Sequence, residues 1–312
     1  MNRVCAVIVT RNRSALLLRN IRSILGQSVE AGILVFDNAS DDDVCAFLRG
    51  QGLEAEGISY GDDGAGALRN NRIVVVRSDE NRGGAGGFCE GIRYAYDAGF
   101  EYIWLMDDDG YCLNEKTLKL LMDRAGERDV ILNSLVVCAP KEEGGDDLFS
   151  FSLNGQRYLS ELAQEDGFVK GDVSTFNSTL FPRKLVSLIG SVNPDFFIYG
   201  DDWDYLERAR AAGFETDTLV DSRYFHPDSG MGFRKVLGRL VAFRDMSADR
   251  MYYYERNSVY IIKEYRGKKA AWLHVFKVLS KCLLYKGRRL EKTRATVIGL
   301  LDGWHGRLKY TL

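Results

Sequence analysis

The chain opens on an apolar, β-branched run at residues 3–9 (RVCAVIV) and turns polar at Thr10-Arg11-Asn12-Arg13. Leu16, Leu17, Ile21, Ile24 and Leu25 then recur at the spacing of one helical face, so the pattern predicts a strand followed by a helix over 15–25. Solid apolar runs return at 33–36, ending at Asp37-Asn38, at 73–76, and at 102–106, which leads into Asp107-Asp108-Asp109; a glycine-bearing helix is predicted over 85–98. Strands without polar alternation, separated by helices, predict an α/β fold with a mainly parallel sheet covered on both faces. Such sheets bind ligands beyond the carboxyl ends of their strands. Thr10, Arg11, Asp37 and Asp107 to Asp109 should therefore converge on one crevice.

Beyond residue 113 the pattern is mixed. It predicts helices over 115–125 and 202–212, strands over 130–138, 149–153 and 174–181, and loops over the Gly- and acid-rich stretches 51–72 and 140–147. After Pro227 the chain is expected to be helical almost to its end, most clearly over 252–265 and 270–285. A boundary near 230 divides residues 1–230, the α/β part, from a basic helical region over 231–312.

Charge adds an asymmetry that periodicity does not show. The formal net charge is −2, yet residues 266–312 hold twelve Lys or Arg against Glu291 and Asp302, a local +10 that leaves −12 for the rest. Trp272, Leu273, Val275, Phe276, Val278, Leu279, Leu283 and Leu284 alternate with these bases at helical spacing. That pattern suits an amphipathic helix at an anionic membrane surface better than a nucleic-acid contact; a solvated face over a packed helix is the plainer alternative. No stretch reaches the roughly 20 apolar residues of a membrane span, since 270–285 is interrupted by His274, Lys277 and Lys281. Six scattered cysteines without a CxxC pair argue for a reducing compartment. The first strand begins almost at Met1, leaving no room for a secretory leader, so a cytoplasmic protein is expected, with peripheral attachment to the inner face of the membrane as an option.

Three consecutive carboxylates repel one another unless a cation or hydrogen bonds compensate. In an extended segment Asp107 and Asp109 project to one side and Asp108 to the other. The outer pair could share a hard divalent ion, and oxygen donors favour magnesium, manganese or calcium over zinc; Asp108 could hold a ribose hydroxyl or a sugar. Asn81-Arg82-Gly83-Gly84-Ala85-Gly86-Gly87 opens a helix whose backbone N–H groups could receive phosphate or a sugar hydroxyl, although a plain turn accounts for the segment equally well. It matches neither GxGxxG nor the P-loop, which removes support for a dinucleotide oxidoreductase or a P-loop enzyme. The run Phe196 to Gly200 is strand-like and leads into Asp201-Asp202-Trp203-Asp204 at a helix start. Capping and the helix dipole account for one or two of those acids, and another could be a general base. Trp203 is suited to stacking on an acceptor sugar, or to packing at the helix start. His226 follows a predicted strand end as a versatile but unassigned imidazole.

Taken together, VIVTRNR (7–13), VFDNAS (35–40), NRGGAGGFCEGI (81–92), WLMDDDG (104–110) and FIYGDDWDYLERARAAGF (197–214) resemble, in order, the signatures of family 2 inverting nucleotide-sugar glycosyltransferases of the GT-A fold. Within that family the DDD triplet, the GGF ending of the glycine segment, the Asp-Asp pair before Trp203, His226 and the Tyr254-Glu255-Arg256-Asn257 segment are most similar to bacterial galactofuranosyltransferases. Family 2 rhamnosyltransferases share most of these elements. The resemblance implies Asp107, Asp109 and His226 as ligands of Mn2+ or Mg2+, and Asp202 as catalytic base. It implies Arg11, Asp37 and Asn81 around the nucleotide; Thr10, Gly83, Gly84 and Asp108 join them as donor-site candidates, and Asp201 and Trp203 are the acceptor-site candidates. The implied donor is UDP-galactofuranose and the acceptor a saccharide, lipid-linked where the basic tail meets a membrane, in cell-surface polysaccharide synthesis. The reading from another class is a non-catalytic sugar-nucleotide-binding module, against which the full set of acids stands. A nucleotidyltransferase is disfavoured because the turn after the first strand has no glycine.

Overall fold

A computed structural model describes residues 3–126, 128–139, 147–162, 167–174, 176–228, 232–236, 239–243, 246–285 and 287–309, with the side chains of 139, 232–236 and 239–243 outside the description. In chain order the elements are β1 (Val4–Thr10), α1 (Ser14–Leu25), β2 (Ala31–Asp37), α2 (Val44–Gly50), β3 (Ala55–Ser59), α3 (Gly64–Asn70), β4 (Ile73–Arg77), α4 (Gly83–Ala98), β5 (Tyr102–Asp107), β6 (Tyr111–Cys112), α5 (Thr117–Ala125) and β7 (Val130–Ala139). They continue with β8 (Leu148–Leu153), β9 (Gln156–Tyr158), β10 (Phe168–Lys170), β11 (Thr179–Pro182), α6 (Arg183–Ile189), α7 (Asp201–Ala211), β12 (Glu215–Phe225), β13 (Gly232–Val236), β14 (Arg239–Phe243), α8 (Ala248–Lys281) and α9 (Arg289–Trp304).

The described residues group into two compact units. The first comprises 1–82, 87–192 and 208–228, the second 83–86, 193–207 and 229–312.

The first unit is built on a sheet ordered β10-β12-β7-β11-β5-β1-β2-β4-β3. As the solid apolar runs predict, β5, β1, β2, β4 and β3 are all parallel to their neighbours. The half that follows is mixed, because β11 runs antiparallel between β5 and β7. The chain leaves β1 for β2 on one side and reaches β5 on the other, so strand order reverses at the β1/β5 pair. That reversal is where an open α/β sheet forms its binding crevice. Register sets Thr10 beside Asp37 and Val9 beside Asp107, which fixes the polar strand ends at a common level. Leu17, Ile21 and Ile24 of α1 are fully buried with Ile8, Ile33, Trp104 and Met106 in the core on one face of the sheet. On α4, a Cβ at Gly87 or Gly91 would come within 2.5 or 2.4 Å of Val9 or Val7, so these two glycines let the helix lie close on β1. Part of the glycine run is thus a packing device.

Several expectations change. The stretch 51–72 is not a loop: it holds β3 and α3, which are short and interrupted by Gly57, Gly64 and Gly66. Pairing with β4 supplies β3, and the Asp63 side chain, accepting from Gly66 N–H at 2.7 Å, caps α3. The strand expected over 174–181 is confined to Thr179–Pro182, after left-handed backbone at Phe176 and Ser178. The loop expected over 140–147 lies, but for Asp147, outside the described residues.

In the second unit residues 196–200 are not a strand. A 3-10 turn at Pro194–Phe196 is followed by positive φ at Phe197, Tyr199 and Gly200 (63, 67 and 83°), which no extended strand allows. Nor is the chain helical directly after Pro227, because β13 and β14 pair as an antiparallel ribbon first. The two long helical segments are as the pattern predicts: Gly267, at φ 84°, interrupts α8 between them.

Candidate active site

β5 carries Asp107 out of the sheet, and β12 delivers His226 just past its own end. His226 Nε2 lies 3.7 Å from an Asp107 oxygen and 3.3 Å from an Asp109 oxygen. One ligand atom from each of the three residues falls within 4.8 Å of the others, and they are the group of that kind among the described residues. The ring is oriented by its other nitrogen: Nδ1 is 2.7 Å from the Pro227 carbonyl, which can only accept, so Nδ1 donates and Nε2 is turned toward the carboxylates. Phe151 packs against the ring at 5.1 Å.

The middle acid is separated from the outer two as expected, but by the turn that follows β5 at Asp108 and Asp109, because the strand ends at Asp107. Asp108, nearly fully buried, accepts from Thr10 Oγ1 at 2.7 Å and from Arg13 at 3.1 Å. Arg13 also reaches Asp109 at 3.0 Å. Burial pushes the Asp108 carboxyl up to about 6 against the opposing Thr10 hydrogen bond and Arg13 charge. Burial acts the same way on Asp109, but His226 and Arg13 outweigh it and hold that carboxyl below its usual range. At His226 burial disfavours the charge, yet the carboxylates of Asp107 and Asp109 overcome it and push the imidazole up to about 10.

A divalent cation fits this donor set on structural grounds. Two carboxylates and an imidazole oriented through its Nδ1 converge, and the buried Asp109 oxygen in the cluster has only His226 Nε2, at 3.3 Å, facing it. Oxygen donors with one nitrogen suit Mn2+ or Mg2+.

Asp37, nearly fully buried, accepts from Ser40 N–H at 2.9 Å with one oxygen and from Arg77 at 3.1 Å with the other. Asp37 and Arg77 line a cavity of about 370 Å³ at the ends of β2, β3 and β4, with Asp43, Arg49, Ser59 and Asp62. Arg11 is exposed, its Nε 3.4 Å from the Ala39 carbonyl, and Asn81 is exposed ahead of α4.

The remaining predicted residues belong to the second unit. Gly83 takes φ 69°, and a Cβ there would meet the Phe197 carbonyl oxygen at 2.0 Å; Gly84 faces open space. Ala85 N–H donates to the same Phe197 oxygen at 3.0 Å. Asp201, Asp202 and Asp204 occupy the first turn of α7, where the helix terminus favours negative charge. Asp202 is half-buried, and Asp204 accepts from Tyr265 Oη at 2.8 Å. Trp203 donates to Glu207 at 3.0 Å, and the Arg266 guanidinium sits 5.2 Å from its ring centre.

The loop ahead of these acids is held from α8. Fully buried Asn257 donates its amide N–H groups to the carbonyls of Phe196, Ile198 and Tyr199 at 3.0, 2.9 and 2.6 Å. Arg256, equally buried, donates to Asp195 and Phe196 carbonyls and to Asn257 Oδ1. Phe197 stacks on Tyr253 at 4.8 Å, so the tyrosine run is packing.

Sequence reasoning gave no role to Arg13, Arg77 or Asn20, and it singled out Asn257 only as part of the Tyr254-Glu255-Arg256-Asn257 segment. Asn20, buried in α1, donates to the Asp107 carbonyl at 2.8 Å and to Tyr224 Oη at 3.3 Å, tying β5 to β12 behind the cluster. The uncompensated DDD triplet was a signal for a cation such as Arg13; a buried Asn on a helix face carries no comparable mark.

With this geometry in view, comparison with known proteins is specific. The model of glycosyl transferase family 2 matches residues 5–185. The chain belongs to that family: it is an inverting glycosyltransferase of the GT-A fold. It is 27% identical over 273 residues to the galactofuranosyltransferase GlfT1 of Mycolicibacterium smegmatis, covering 84% of this chain and 83% of that protein. GlfT1 of Mycobacterium tuberculosis is likewise 27% identical over 271 residues, with 84% and 82% covered. Among solved structures, the mannosyltransferase PcManGT from Pyrobaculum calidifontis in complex with GDP-Man and Mn2+ has a TM-score of 0.55 at 16% identity, over 98% of this chain and 87% of that one. GalNAc-T7 with UDP, GalNAc and Mn2+ has a TM-score of 0.58 at 15% identity, over 94% and 54%.

Proposed function

We propose that the protein transfers galactofuranose from UDP-galactofuranose, with inversion, to a saccharide acceptor carried on lipid, in cell-surface polysaccharide synthesis at the inner face of the cytoplasmic membrane. The observation that carries the reading is the 27% identity to GlfT1 over more than four fifths of both chains. Residues 1–230 would carry the donor chemistry and 231–312 acceptor and membrane association.

Asp107, Asp109 and His226 would hold Mn2+ or Mg2+, which as a Lewis acid neutralises charge on the departing diphosphate. Thr10 and Arg13 hold Asp108 in place, and each of its oxygens keeps a lone pair for a donor hydroxyl. Asp37 with Arg77, together with Arg11, Asn81, Gly83 and Gly84, would receive the rest of the nucleotide sugar. Asp202 takes the proton of the acceptor hydroxyl as that oxygen bonds to the anomeric carbon and the bond to the diphosphate breaks. Asp201 and Trp203 would orient the acceptor. One displacement inverts the centre, and no enzyme nucleophile is required.

The test is Asp202→Asn, which preserves shape and removes the base. UDP release from UDP-galactofuranose with a galactosyl acceptor is expected to fall by at least about a hundredfold, while donor affinity is retained. Turnover close to the parent's would remove Asp202 from the role.

A further inference from the structure

The second unit exposes large apolar side chains along both long helices. On α8, Trp272, Phe276 and Leu279 are 52, 68 and 40% exposed and continue in line to Leu283 at 73%, with Leu273 alongside at 72%. Their i, i+4, i+7, i+11 spacing puts the first four on one stripe. On α9, Leu290, Val297 and Leu301 repeat the spacing at 88, 37 and 54%. Trp272 and Trp304 touch at 4.7 Å, and Arg289 donates to the Leu283 carbonyl at 2.6 Å, so the stripes adjoin at both ends. Exposed Lys268, Lys269, Lys277, Arg289 and Arg294 border or interrupt them.

We infer that this two-helix face is the docking surface for an anionic lipid bilayer, lying in the interface with Leu273, Phe276, Leu283 and Leu290 among the acyl chains and the bases at the headgroups. Charge selects this occupant. A second copy would set one strongly basic region against another, and a nucleic acid would leave the most exposed leucines without apolar partners. No helix among the described residues is long and apolar enough to cross a membrane, so the face lies on the surface and does not span it. The inference deepens the reading of a lipid-linked acceptor.

The test is co-sedimentation of the full chain with phosphatidylcholine vesicles, with and without phosphatidylglycerol. No donor or acceptor is needed, so its failure and failure of the galactofuranose reading are separate events. Binding is expected to require phosphatidylglycerol and to fall with salt. Leu273→Ser/Phe276→Ser should weaken it by about tenfold or more, and Lys268→Glu/Lys269→Glu/Lys277→Glu by more than the roughly fivefold expected per lost base. Both variants should keep parental circular dichroism and Mn2+ affinity. Equal binding to neutral vesicles, no binding to either, parental binding by the apolar variant, or a dimer that the apolar variant dissociates would each overturn the inference.

Discussion

Asn257→Ala tests whether the acidic segment is held in place from α8. Asn257 has two amide hydrogens shared among three carbonyls, that of buried Phe196 and those of half-buried Ile198 and Tyr199, and its oxygen accepts from Arg256 Nε at 2.8 Å. Alanine removes all of these contacts and cannot replace them with water, since the position is fully buried. A net hydrogen bond is worth about 1 kcal/mol, and each buried group left unpaired costs about 1–3 kcal/mol. With two donors lost and the loop able to relax partly, destabilisation of about 2–4 kcal/mol follows. Urea unfolding of the full chain should show the midpoint shifted down at an unchanged slope. The carbonyls Asn257 anchors precede Asp201 and Asp202 by two to six residues, so kcat for UDP release should fall while donor KM changes little. A stability change within about 0.5 kcal/mol, the range of an ordinary surface substitution, would refute the reasoning.

Gly83→Ala combines a left-handed φ with a Cβ 2.0 Å from the Phe197 oxygen, and should cost about 1–3 kcal/mol or more in the same unfolding assay. His226→Ala should weaken Mn2+ binding by at least about tenfold to a hundredfold, read by electron paramagnetic resonance of the free ion. The pH dependence has a defined sign. The His226 pKa is raised from 6.5 to about 10, so its ion pairing stabilises the metal-free protein fully below pH 6.5 and is lost as pH rises through 10. Mn2+ must displace that proton, so binding near neutral pH should release about one proton and strengthen as pH rises. Calorimetry in buffers of different ionisation enthalpy checks this, and uptake without proton release would contradict it.

The sheet and the metal candidates were legible because their signals are local. Solid apolar runs ending in acids specify buried parallel strands, and three adjacent carboxylates demand compensation. The edge elements β3 and α3 were not, since one depends on pairing with β4 and the other on a cap across glycines. The segment Phe196 to Gly200 reads as a strand by composition, but Asn257, far along the chain, satisfies its carbonyls and so stabilises left-handed turns that composition argues against. Arg13 and Asn20 were missed for a related reason: their partners, Asp108 and the Asp107 carbonyl, become neighbours only once β1, α1 and β5 pack.

The central claim is the chemistry at the Asp107, Asp109 and His226 cluster, and UDP release tests it most directly. With a galactosyl acceptor, the full chain should release UDP from UDP-galactofuranose but not from UDP-galactopyranose, should release no nucleotide from dTDP-rhamnose, and should stop when EDTA removes the divalent ion. Turnover of dTDP-rhamnose in its place would contradict the donor assignment. Undiminished turnover in EDTA would contradict the metal centre itself.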